Sequence, residues 1–306
     1  MKVFWRGIFS SLTRFRASIV SNYLFVLPAL IMFLTFNVYP FYKVFQMSFR
    51  DWNGIDPGGG TFIWLNNFKE ALFYDSTWWE SVRNAGTITL LALTLQNFLA
   101  LVLAWIVDRG VRGAQFYRSV FFLPPILSGV VVGLVWNWIF RGEAGILNRC
   151  LTQIGLGGWT HAWFSDIRTA LPALAVVHMW KGFGWAFIIL LAGFQGIPRE
   201  LYEAARVDGA NEFSVFWRIT VPLMVPVFTL VGVLTILGSM QLYDLVVVTT
   251  LGGPSGHTEV PMFTILRELT DNPRFGYASC LGVVFGFILV FVSIVQLQVA
   301  KRTKAE

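Results

Sequence analysis

The densest set of groups able to do chemistry lies in PRELYEAARVDGANEFSVFWRITVPLMVP, residues 198–226, where seven charged side chains sit between two long apolar runs. A charged segment in that position either anchors a loop at an interface or is read by a partner. A second set lies inside apolar runs: Ser239, Gln241, Tyr243 and Asp244 in one, His178, Trp180, Lys181 and Trp185 in another. Polar groups are costly in lipid, so they mark a path for a polar solute, or they pair with one another or across subunits. A Lys181–Asp244 pair is the alternative use of the same residues. Hydrolytic chemistry has no visible home. The sequence has no G-x-x-x-x-G-K-[ST] loop, so ATP hydrolysis is not expected in this chain. His161, His178 and His257 are far apart and lack metal-ligand spacing. Without a nucleophile–base pair or a metal cluster, a membrane-bound enzyme is disfavoured.

The elements that must position these groups are read from hydropathy. The 306 residues are 56% hydrophobic and 13% charged, with a mean hydropathy of +0.63; soluble domains carry about 25% charged residues. Six apolar runs, at about 22–42, 86–107, 116–139, 169–194, 223–247 and 277–299, are each long enough to cross a bilayer. Backbone groups in lipid must pair within their own segment, so the expected fold is all-α, with six transmembrane helices. A strand reading fails on LTLQNFLALVLAWIV (93–107), taken as apolar on all sides. The first run is too long for a signal-peptide core and lacks a small-x-small cleavage site, so it is read as an uncleaved span. With both termini placed in the cytoplasm, the inside segments hold 13 Lys and Arg and the outside segments 8. The bias supports that orientation and makes the net charge of +6 a topology signal; no nucleic-acid partner is expected.

The expected organisation is a cytoplasmic amphipathic segment at 1–21, a six-helix membrane domain at 22–300 with a cytoplasmic loop at 198–222, and a cytoplasmic tail at 301–306. Residues 1–21 mix Phe, Trp and Ile with Lys2, Arg6, Arg14 and Arg16, a composition suited to an anionic leaflet. Pro124-Pro125 should break or kink the third span near its cytoplasmic end. Cys150 and Cys280 are read as free thiols. In the charged loop, Pro198 suits the first helical position, and Leu201, Ala204, Ala205 and Asp208 share one face. Gly209 can end that helix in the left-handed conformation, and Asn211 can cap a second one whose apolar face carries Phe213, Phe216, Trp217 and Thr220. The product is a helix–glycine–helix elbow along the membrane surface with small alanines exposed, and Pro222 marking the return into lipid.

EAARVDGANEFSVFWRITVP resembles the EAA loop of ABC importer permeases: Glu203, Ala204, Ala205, Gly209, Ile219 and Pro222 match, and Val221 replaces the usual Leu. Asp208 and Ala210 fit the carbohydrate branch. FFLPPILSGVVVGLVWNWIF (121–140) and LYDLVVVTTLGGPSGHT, with Gly252, Gly253, Pro254 and Thr258, are similar to segments of the same branch, and the resemblance extends over about 20–300. It implies a maltose-transporter-like permease subunit with the type I ABC importer fold, in the plasma or inner membrane of a bacterium or archaeon. Implied partners are a second homologous permease, two ATP-binding subunits that hold ATP and Mg, an extracytoplasmic solute-binding protein, membrane lipid and a sugar. No cofactor is expected on this chain. Glu203, Ala204, Ala205, Asp208 and Gly209 would couple to the ATPase. Ser239, Gln241, Tyr243, Asp244, Trp180 and Trp185 would line the substrate path, where aromatic faces and hydrogen-bonding groups suit a sugar. Gly252, Gly253 and Pro254 would form an extracytoplasmic turn. The alternative is a secondary sugar transporter acting alone, against which the chain shows no second, repeat-related half.

Overall fold

The structure is a computed structural model that describes residues 23–302; the expected amphipathic segment at 1–21 and residues 303–306 lie outside it. Its helices are α1 (Tyr23–Met47), α2 (Asn66–Lys69), α3 (Ser76–Asp108), α4 (Ala114–Ile126), α5 (Gly129–Ile139), α6 (Ile146–Gln153), α7 (Ala170–Gln195), α8 (Arg199–Val207), α9 (212–240), α10 (Asp244–Thr249), α11 (Pro261–Thr270) and α12 (Phe275–Arg302). A small antiparallel ribbon pairs β1 (Arg50–Asp51) with β2 (Thr61–Phe62).

The all-α membrane fold agrees with the expectation, with local corrections. α1, α3, α7, α9 with α10, and α12 are each long and apolar enough to span a bilayer. The third run is not one straight span. α4 ends just after Pro124-Pro125, Leu127 and Ser128 are extended, and α5 leaves at 98°. The prolines therefore break the run near its middle. α3 starts ten residues before its apolar run, capped by the Asp75 carboxylate on the Trp78 N–H at 2.9 Å. The other Asp75 oxygen accepts from the Tyr277 hydroxyl at 2.6 Å, fixing α3 against α12. α12 runs past 299 to Arg302, into what was read as tail.

Prolines inside two long helices are tolerated by a shared device. Pro40 and Pro222 each follow a π-helical turn, Leu34–Val38 and Phe216–Thr220. A proline removes one i→i−4 bond and crowds the carbonyl it would have met; the widened turn relieves that crowding. Pro222 thus lies within a continuous helix, and α9 runs from the loop at Glu212 straight into the membrane domain. The expected surface-lying second arm is the first part of a span.

Two apolar cores stack along the bundle. One joins Trp78, Ala85, Ile88 and Ala92 of α3 to Leu174 and Val177 of α7, Ile236 and Met240 of α9, and Leu281 of α12. The other joins Ala100 and Ala104 of α3 to Phe187, Leu190 and Phe194 of α7 and Met224 and Val231 of α9. Near the junction of the two cores each of these three helices carries polar residues or glycine: Gln96 and Asn97 on α3, His178 and Gly182 on α7, Thr235 and Ser239 on α9.

Candidate functional site: an elbow at one end and a polar layer in the bundle

The charged segment folds as the elbow its cap chemistry dictates, starting one residue later than expected. Pro198 is the N-cap, and Arg199 opens α8. Gly209 has φ +77°. The Ala210 N–H reaches the Ala205 carbonyl at 2.9 Å, and that of Gly209 reaches Arg206 at 3.1 Å. These are the paired bonds of a left-handed glycine terminus. Asn211 then caps α9 on the Ser214 N–H at 2.8 Å. The Tyr202 and Thr220 hydroxyls, 3.2 Å apart, tie the arms together.

Which faces are buried corrects the sequence reading. Leu201, Ala204 and Asp208 are exposed, as is Glu203, but Ala205 is buried against the chain. Ala205 therefore packs the elbow, and Ala204 is the small residue left outward. On α9, Phe216 and Thr220 turn inward while Phe213 and Trp217 are 74% and 54% exposed, so the expected single face is split. Gly209 is open on all sides: a Cβ there would meet nothing within 4 Å. Beside the elbow, Arg109 at the end of α3 pairs with Glu212 and stacks over Trp105 at 3.9 Å, and Arg206 approaches Glu212 at 3.6 Å. These groups and Glu203 border a cleft of about 780 Å³ between the elbow and the α3–α4 turn.

The polar layer borders an open cavity of about 380 Å³ lined by Gln96, His178, Gly182, Trp185, Thr235 and Ser239 among apolar side chains. Ser239 is fully buried, 2.8 Å from His178 Nε2. Thr235 donates to Asn97 at 3.2 Å. No charged Asp, Glu, Lys or Arg side chain lines this cavity.

The structure brings together only some of the expected path residues. Ser239 and Trp185 line the cavity. Gln241 is exposed where α9 ends, and Tyr243 lies in the gap before α10, so the fifth run is interrupted at 241–243 rather than continuing to 247. Lys181 and Asp244 form an ion pair at 3.7 Å, the alternative use of these residues. The Asp244 carboxylate fills the space that a side chain on Gly129 would need, at the start of α5. Trp180 packs edge-on against Trp136, with ring centres 5.6 Å apart. Gln96, Asn97, His178 and Thr235 complete the layer. The signal for the first two was present: two adjacent amides stand in the stretch taken as apolar on all sides.

At the end opposite the elbow, Gly252 (φ +79°), Gly253 and Pro254 form a tight turn. Thr258 is fully buried, and its hydroxyl lies 2.7 Å from both the Gly253 carbonyl and the Thr250 hydroxyl. Asn84 donates to the Glu259 carbonyl at 3.0 Å, and the buried Glu259 side chain pairs with Arg267. Burial raises the Glu259 carboxyl above the usual range, against the opposing pull of Arg267.

Comparison with known proteins gives a consistent result. The chain is 34% identical over 286 residues to YurN, a probable ABC transporter permease protein of Bacillus subtilis, covering 93% of this chain and 97% of that protein. It is 31% identical to NgcF, a diacetylchitobiose uptake system permease protein of Streptomyces coelicolor, covering 87% and 78%. It is 28% identical to AmyD of Thermoanaerobacterium thermosulfurigenes, a probable permease for transport of starch degradation products, covering 93% and 95%. Its fold matches a chain of a bacterial ABC transporter involved in the import of alginate, with a TM-score of 0.81 at 22% identity, over 94% of this chain and 99% of that one. Residues 96–305 match the model for the inner membrane component of binding-protein-dependent transport systems, so this chain belongs to that family of membrane permeases.

Proposed function

We propose that this chain is one permease subunit of an ATP-driven sugar importer. It acts with a second, homologous permease, two ATP-binding subunits that carry ATP and Mg, and an extracytoplasmic solute-binding protein. The observation that carries the reading is the elbow: the EAARVDGA stretch forms a sharply turned, outward-facing lever in a chain whose family is established. Three relatives point to the sugar class by their names, which concern diacetylchitobiose, starch degradation products and multiple sugars. Both termini and the elbow are cytoplasmic on this reading, and the Gly252 turn is extracytoplasmic.

The lever has a direct mechanical output. α9 begins inside the elbow and continues to Thr235 and Ser239 in the polar layer, then breaks at 241–243. A displacement of the elbow is passed along this continuous helix, whose far end borders the cavity, an arrangement suited to switching between two states. Ala204, Asp208 and Glu203 offer the outward contact surface for the ATPase. Hydrolysis itself belongs to the partner subunits.

The test is Glu203→Ala and Gly209→Leu in the assembled transporter. Both variants should insert in the membrane, and both should lose the ATPase on purification or lose coupling between hydrolysis and uptake. Co-purification and solute-binding-protein-stimulated ATPase activity in liposomes read this out. Wild-type behaviour of both variants would reduce the elbow to an interfacial anchor. Cysteines placed at 204 and 255 test orientation: labelling of 204 from outside would invert it.

A further inference from the structure

Gln96 stands out in the polar layer. It is 5% exposed, and its side-chain carbonyl oxygen is buried with no hydrogen-bond partner. Its amide nitrogen has one long contact, 3.5 Å to Asn97. It sits at the end of a π-helical turn, Ala92–Gln96, in the middle of α3. Such turns shift the helix register by one residue and often occur at functional positions. Asp108, at the elbow end of α3, is about 18 Å away along the helix axis, so the amide lies deep between the two cores. Across from it is Gly182, where a side chain would approach the Gln96 oxygen to 2.8 Å. The bare glycine lets the amide pack close, and the acceptor beside it bonds to nothing.

An unpaired acceptor at this depth is unfavourable, because neither lipid nor core supplies a donor. Leu or Met would fill the same volume without that cost. The neighbouring polar groups do not share the defect: His178 with Ser239, and Thr235 with Asn97, satisfy one another. Gln96 lines the cavity, and a donor brought there by a solute would repair the defect once the amide turns its oxygen outward. The cavity beside Gln96 falls in the size range of small-molecule sites and has no charged lining. The missing donor is therefore a hydroxyl on a neutral molecule rather than a counter-ion for an acid.

We propose that the Gln96 side-chain oxygen accepts a hydrogen bond from a hydroxyl of a neutral sugar passing through the bundle, making Gln96 a specificity-determining residue of the translocation path. This rests on the importer reading above. A site built around a buried acceptor rejects a solute that lacks the matching donor.

The experiment uses the full transporter in liposomes with saturating solute-binding protein. The probes are labelled glucose, maltose, cellobiose, raffinose and an alginate disaccharide. Wild type should carry at least one neutral sugar; carriage of none sinks the importer reading and this inference with it, and carriage of the acidic one alone overturns the neutral class. For the sugar carried, Gln96→Leu should lower uptake roughly tenfold, the worth of one buried hydrogen bond, while binding-protein-stimulated ATPase activity persists. The same variant should melt at a higher temperature than wild type, since it removes the unpaired oxygen. One monodeoxy analogue should be carried equally by wild type and variant. Unchanged uptake, or a lowered melting temperature with no analogue erasing the difference, makes Gln96 a packing residue and overturns the proposal.

Discussion

Gly209 and Gly252 hold nearly the same left-handed backbone, φ +77° and +79°, in opposite surroundings. A side chain added at Gly209 would meet nothing within 4 Å, whereas one at Gly252 would come within 2.8 Å of Glu259 Cγ and of the Phe263 ring. The Gly252 turn is determined from within the chain by the buried Thr258, the Asn84 contact and the Glu259–Arg267 pair. The elbow is held by its own caps, the Tyr202–Thr220 contact, the buried Ala205 and a few exposed ion pairs, and its turn at Gly209 is left open. A motif that is specific in sequence, yet whose outer face and turn its own chain leaves uncovered, is free to be read by something outside it. That contrast supports reading the elbow as a docking element and the Gly252 turn as scaffold.

The largest expected effect separates the two glycines. Gly252→Leu combines positive-φ strain of about 1–2 kcal/mol with overpacking of about 1–3 kcal/mol. It should visibly lower the melting temperature of the purified chain. Gly209→Leu carries the strain alone, and its damage should appear in ATPase assembly rather than in folding. Thermal unfolding followed by intrinsic Trp fluorescence, run beside co-purification, gives both readings. Equal destabilisation by the two substitutions would break the comparison.

Much of this contrast was legible in the sequence where local chemistry decides the structure. Gly209 as a helix end and Asn211 as a cap follow from residue type alone, and both hold. The burial of Ala205 did not follow, because it depends on how α8 is set against α9, where Tyr202 meets Thr220. The double proline announced a break but not its 98° turn. That bend also involves Asp244, over a hundred residues away, whose carboxylate occupies the space beside Gly129. Gln96 was lost for another reason: a hydropathy window averages one amide into its neighbours, although lipid would penalise it singly. Gln241 was placed in the path as a polar group within an apolar run and by the resemblance; α9 ends there, with Gln241 exposed, and Ser239 is the last residue of α9 that lines the cavity.

A smaller effect sharpens the scaffold side of the comparison. Glu259 binds its proton more tightly in the folded chain, because burial outweighs Arg267. Between the ordinary carboxylate value and the raised one, the folded state holds more protons than the unfolded state, so stability falls as pH rises through that window. Glu259→Gln should flatten this slope, read as melting temperature against pH from 4 upward. A slope that persists unchanged would assign it to other groups.

The smallest effect concerns Arg109, and it tests whether the elbow is as weakly held as the comparison requires. Its pair with Glu212 is about half exposed on both sides, and such pairs contribute about 0–1 kcal/mol. Stacking on Trp105 adds about 0.5–1 kcal/mol at an exposed site. Arg109→Ala should therefore change the melting temperature little. Yet Arg109 is the link between the end of α3, which carries Gln96 further up, and the start of α9, which carries Thr235 and Ser239. If elbow motion is shared between these two helices, Arg109→Ala should lower uptake per ATP hydrolysed while leaving assembly intact. Arg109→Lys keeps the charge but loses the planar stack, so it should recover part of the loss. A large drop in melting temperature would show that the elbow is bound into the chain as firmly as the Gly252 turn, and the distinction between docking element and scaffold would fail.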